Sequence, residues 1–221
     1  MRPLILCILL LPLVARGFPD GATNPLGVAR GCLPGRVVWT HWPGVAVWDG
    51  VETNYWWEPR NNDQSAINDM FNTGIRELAG EYAASIPVAN SAAWYRLFSW
   101  FNRARGRGDR GYQSGETIAV KVNLVNCGSW RAYNYAPLGA MTSPQSIYAL
   151  INALVSHADV PQQNIIIYES SQNIGDLVWN LCHPDFPNVQ FHDISGYFGR
   201  HKVDKDYDSP IVFSGAPVIL Y

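Results

Sequence analysis

Six side chains in the second half of the chain have the chemistry to build a site: Lys121, Asn123, Glu169, Ser170, His192 and Asp193. Two carboxylates such as Glu169 and Asp193 can exchange protons with a substrate or share a divalent metal, with His192 as a third ligand. Lys121 would neutralise substrate charge, and Asn123 would orient the substrate by hydrogen bonding. Together Lys121, Asn123, Glu169 and Asp193 make a candidate catalytic set for an extracytoplasmic, metal-dependent enzyme. Asn126 and Ser170 are candidate ligand contacts beside it. A second candidate region is the aromatic loop over 42–57, where Trp48, Trp56 and Trp57 offer faces on which a ligand such as a sugar could stack. That loop supports a different function, non-catalytic binding of a small molecule. A third possibility is a structural or interaction domain in which both regions are filled by packing. Each polar residue also has a plain structural use. An ammonium in mid-strand, as at Lys121, needs a carboxylate partner, and Glu169 or Asp193 would serve.

The elements that must position these groups follow from periodicity. Residues 117–125 alternate: Ile118, Val120, Val122 and Leu124 face one way, Ala119, Lys121, Asn123 and Val125 the other. Ser143-Pro144 opens a helix, with Ser as N-cap and Pro at the first helical position. Ile147, Leu150, Ile151, Leu154 and Val155 form its core face. Residues 164–169 then read as a buried strand, and 188–194 as another. Strand, helix and strand make a βαβ unit at 117–170, so the fold class is α/β, with a mainly parallel sheet flanked by helices. In such sheets ligands bind beyond the carboxyl ends of the strands, which is where the candidate set falls.

Upstream, Arg36–Thr40 reads as a short strand. Asn61-Asn62-Asp63 opens a helix with an apolar stripe of Ile67, Met70, Phe71, Gly74, Ile75 and Leu78, terminated at Gly80. Ser91 is the expected N-cap of a further helix, with Trp94, Leu97, Phe98 and Phe101 buried and Gly106 at its end. The Arg-Gly-Asp tripeptide at 107–109 reads as a solvated glycine turn.

Composition and motifs exclude several classes. Of 221 residues, 48% are hydrophobic, enough to build a core, so the chain is not disordered. No phosphate-cradling glycine loop follows a strand, and no H-E-x-x-H or G-x-S-x-G occurs. Cys32, Cys127 and Cys182 have neither zinc nor iron–sulfur spacing, although a disulfide between two of them is open. A divalent metal is the only cofactor the residues suggest.

Residues 1–17 carry Arg2, an apolar run from Leu4 to Val14 and small residues at Ala15 and Gly17, which predicts a cleaved signal peptide and an extracytoplasmic (periplasmic or secreted) protein. Losing Arg2 and Arg16 leaves 14 basic against 18 acidic residues, a formal net of −4. That is the wrong sign for a nucleic-acid partner. No later apolar segment is long enough to span a membrane, so the expected partner is a small-molecule ligand.

Several phrases occur in order: Asn24-Pro25-Leu26-Gly27, Pro34 to Trp39, Trp56-Trp57, Asp63-Gln64, Gly115 to Leu124 and Ser143-Pro144-Gln145. In this the chain resembles domain of unknown function family 362, in its exported bacterial form, over roughly residues 24–215. The resemblance implies one α/β domain over 18–221. It supplies no catalytic residues. Some relatives carry iron–sulfur modules that have no counterpart here, and an Asp of relatives after the second parallel strand is Glu169 in this chain. Relatives continue with a Lys-Asn-containing segment, and the chain stops within an apolar run, Pro217–Tyr221, so the domain is expected to be incomplete at its C-terminus.

Overall fold

The computed structural model describes residues 28–51, 54–80, 82–83, 86–87, 89–124, 133, 141–204, 206, 211–212 and 219–220. The predicted signal peptide, Asn126 and Cys127 lie outside them.

Helix α1 (Gln64–Ala79) starts where Asp63 accepts a hydrogen bond from the Ala66 N–H. It ends at Gly80, whose φ of 74° is the left-handed conformation that closes a helix most cheaply when no Cβ is present. A short antiparallel pair follows, β1 (Tyr82–Ala83) with β2 (Ile86–Pro87), then α2 (Asn90–Ala104). The remaining elements are β3 (Ile118–Lys121), α3 (Pro144–His157), β4 (Ile165–Tyr168), α4 (Asp176–Cys182), β5 (Gln190–Asp193), β6 (His201–Lys202), and an antiparallel pair, β7 (Ile211–Val212) with β8 (Ile219–Leu220).

The architecture is α/β. Strands β3, β4, β5 and β6 pair in that order, all parallel, into one four-stranded sheet. The predicted βαβ unit is β3–α3–β4, and the Ser143 hydroxyl accepts from the Ser146 N–H at its N-cap. Alternation sends Ile118, Val120, Val122, Ile165, Ile167 and Phe191 toward the helices, where they meet Ile147, Ile151, Leu154 and Val178. Burial of this apolar set is the main stabilising term of the fold. Helix α1 packs against α2 and α3, and α3 packs against α4. The other sheet face is less covered: Ala119, Lys121 and His201 are exposed, and Ile166, Tyr168, Gln190 and His192 are half-buried.

Several expectations change. Arg36–Thr40 is not a strand: it makes no ladder, Val37 and Trp39 are exposed, and Trp39 stacks on His41 instead. A run of five residues with strand-favouring side chains is too short a signal to guarantee a pairing partner. Helix α2 begins at Asn90, one residue before the predicted cap, so Ser91 lies in its first turn. The Asn90 side chain is engaged by Arg76 and His157, which ties α2 to α1 and α3. Within the stripe of α1, Ile67 is buried but Leu78 is exposed, while polar Asn72 is buried. Helix α4 and strand β6 have no strong sequence signal and depend on tertiary contacts. Cys182 is a buried thiol outside any disulfide, and burial, with Asp185 nearby, pushes its pKa up to about 12. It serves as packing rather than as a nucleophile. No helix among the described residues is long and apolar enough to cross a membrane.

Candidate functional site

Glu169 follows the last residue of β4 and is 1% exposed. Its Oε2 accepts from Lys121 Nζ at 2.7 Å and from the Leu124 N–H at 3.0 Å. Its Oε1 accepts from the Ser171 N–H at 2.9 Å and the Ser171 hydroxyl at 2.8 Å. Burial pushes the carboxyl up, but the Lys121 ammonium and these N–H and O–H donors outweigh it, and the pKa settles below the usual glutamate value. Lys121 leaves β3 on the open face. Its ammonium turns over the strand end, also donating to the Val122 carbonyl, to reach Glu169. Its expected ion pair is therefore with Glu169.

Asp193, the last residue of β5, is fully buried. Oδ1 accepts from the Tyr133 hydroxyl at 3.2 Å, the Ser195 N–H at 3.0 Å and the Gly196 N–H at 2.7 Å, and Oδ2 accepts from the Ile174 N–H at 3.1 Å. It organises the turn after β5 and clamps the segment before α4. Beside it lies Arg200, which the sequence did not single out. Its guanidinium sits over the rings of Tyr133 and Trp179, at 4.7 Å and 4.5 Å, and donates to the Ile174 and Phe198 carbonyls and to Asp176. An arginine stripped of water in this way is held by its donors and by ring faces.

Gly196 is part of the same turn. Its φ is 69°, and a Cβ there would stand 2.5 Å from the Lys202 backbone nitrogen. Gly196→Ala is expected to destabilise the protein by about 1–3 kcal/mol, read from urea denaturation. A midpoint equal to wild type would show that the turn relaxes freely.

The carboxylates thus end two adjacent strands, as the sequence predicts, but each already accepts four hydrogen bonds. His192 does not join them. Residues alternate across a strand, so its ring lies on the face opposite Asp193, half-buried, with Nε2 3.2 Å from Gln190 Oε1. No group of three or more His, Cys, Asp or Glu side chains suited to a metal forms among the described residues. Asn123 is exposed, its backbone tied to Thr142, and Ser170 is exposed.

The aromatic loop is stapled to the start of α1. Asn61 donates to the Asn54 side chain and the Tyr55 carbonyl, and Asn62 to the Trp56 and Glu58 carbonyls. Trp48 is exposed and donates to the Asn54 carbonyl. Trp56 and Trp57 are half-buried, and Trp57 stacks on Tyr55 with centroids 5.2 Å apart. Gly106–Gly111 does have G-x-G-x-x-G spacing, but it leads from helix α2 toward β3, whereas a dinucleotide loop runs from strand to helix.

An apolar cleft opens elsewhere. About 730 Å³ in volume, it lies between the 30–36 segment, α2 and the start of β3, with Leu33, Trp94, Leu97, Phe98, Phe101 and Ile118 among its walls. Arg30, Arg36 and Arg107 also line it, and Arg107 pairs with Glu116 at 2.9 Å. Leu33 lies against Gly80, and Arg36 donates to the Glu77 carbonyl, so the end of α1 holds this wall in place. Trp94 is 8% exposed, and its Nε1 has no hydrogen-bond partner among the described residues. The sequence marks Trp94, Leu97, Phe98 and Phe101 as one face of α2 but gives no sign that the face is left partly uncovered.

No known protein-family model matches the chain, and no curated protein or solved structure matches it significantly.

Proposed function

We propose that this protein binds a small, largely apolar molecule, without catalysis, in the cleft between the 30–36 segment, α2 and the start of β3. The cleft itself carries this conclusion: about 730 Å³ of space walled by aromatic and aliphatic side chains is the size and lining of a small-molecule site. Arg30, Arg36 and Arg107 among the lining residues favour a ligand with an anionic end. The site lies at the beginning of β3, away from the carboxyl ends where catalytic groups gather in open sheets. At those ends Glu169 and Asp193 are committed to holding loops, which supports binding over acid–base or metal chemistry there.

The test is a titration of the purified protein with medium-chain fatty acids, followed through tryptophan fluorescence. Trp94 and Trp100 line the cleft and should report occupancy. Saturable binding is expected for the wild type. Leu97→Trp, which fills the cleft from its α2 wall, should weaken binding by about tenfold or more. No saturable response, or equal affinity in the filled variant, would defeat the proposal.

A further inference from the structure

The less covered sheet face carries a second candidate site. Parallel register aligns Lys121 with Tyr168, Tyr168 with His192, and His192 with His201, making one row across four strands. The row ends in two imidazoles on neighbouring strands. Their rings are stacked, with centroids 4.8 Å apart and planes 29° from parallel.

We propose that His192 and His201 together bind a divalent transition-metal ion, copper(II) most tightly, on the open face of the sheet. Strand pairing fixes the two Cα positions, so bringing both ligands to one ion needs only side-chain rotation, and little ordering entropy opposes it. His201 is exposed, so the ion can approach from solvent. Gln190, on the same face of β5, contacts His192 Nε2 at 3.2 Å and can serve either tautomer by turning its amide, as a supporting group behind a metal-bound imidazole must. The carboxylates do not compete: Asp193 points to the other face and is saturated by its four donors. With two protein ligands the remaining coordination positions belong to water. Two imidazoles suit copper, nickel and zinc, and divalent-metal affinity peaks at copper.

The experiment uses tag-free protein titrated with copper(II), by calorimetry and by electron paramagnetic resonance. The expected result is one equivalent bound with superhyperfine coupling from two imidazole nitrogens. His192→Gln and His201→Gln should each lower affinity by at least about tenfold, while His183→Gln, a histidine stacked on Trp179 away from the row, binds as wild type. His201→Gln changes an exposed side chain, so it tests the site even if His192→Gln fails to fold. Unchanged binding in the His201 variant, a spectrum without two-nitrogen coupling, or no saturable binding by wild type would overturn the proposal.

Discussion

Asp193→Ala is expected to lower stability by about 3–5 kcal/mol, the largest effect of any single polar substitution considered. The carboxylate is fully buried and is the shared acceptor for Tyr133, Ile174, Ser195 and Gly196. Truncation leaves four donors facing a cavity. Each unsatisfied buried donor costs about 1–3 kcal/mol, and an entering water can repair only part of that. The loss would extend beyond the strand end, because Tyr133 also accepts from the Tyr197 N–H and lies under the Arg200 guanidinium. Guanidinium denaturation gives the number directly. Were Asp193 instead a catalytic or metal-binding carboxylate held at some cost to the fold, its replacement would leave stability unchanged or raise it, as is common when strained functional groups are removed. That outcome would return the strand ends to candidacy as an active site.

Glu169→Gln is expected to cost about 2–3 kcal/mol at pH 7, with a dependence on pH that identifies the cause. The folded carboxyl lies below its ordinary value of 4.5, so the charged form is favoured by folding. Its stabilisation is complete above about pH 4.5, where the unfolded chain is also ionised, and is lost as pH falls through the lower folded value. The difference between wild type and Glu169→Gln should therefore be full at pH 7 and shrink in acid. Urea midpoints measured at both pH values check this. A gap that stays constant into acid would mean that shape, not charge, holds the residue. Lys121→Met separates the donors. Lys121 is one of four partners and its side chain is 46% exposed, so its loss should cost under about 1 kcal/mol. The backbone N–H groups of Leu124 and Ser171, which a glutamine amide nitrogen would oppose, carry the larger share.

Much of the fold is determined by local pattern. Alternation from Ile118 onward, the Ser143-Pro144 cap and the apolar run at 165–168 each depend on near neighbours in the chain, and β3, α3 and β4 form within the expected spans, although β3 pairs only over Ile118–Lys121 of the expected 117–125. Gly80 ends α1 for the same reason, since a left-handed residue favours glycine whatever surrounds it. Those strands in turn place Glu169 and Asp193 at neighbouring strand ends and bring Lys121 onto Glu169. What the two carboxylates do there was decided only by tertiary structure. Their partners, Ser171 and Leu124 for one, Tyr133, Ile174 and Gly196 for the other, come from turns whose paths no periodicity encodes. The same limit hid Arg200, which needs Trp179 and Tyr133 brought over it, and the pairing of His192 with His201, which needs β6, a two-residue strand held by its neighbour. The apolar face of α2 is legible as a stripe of residues. Whether packing fills that face or leaves a cleft depends on where the 30–36 segment comes to rest, which is set by Leu33 against Gly80 and Arg36 on the end of α1, more than forty residues away along the chain.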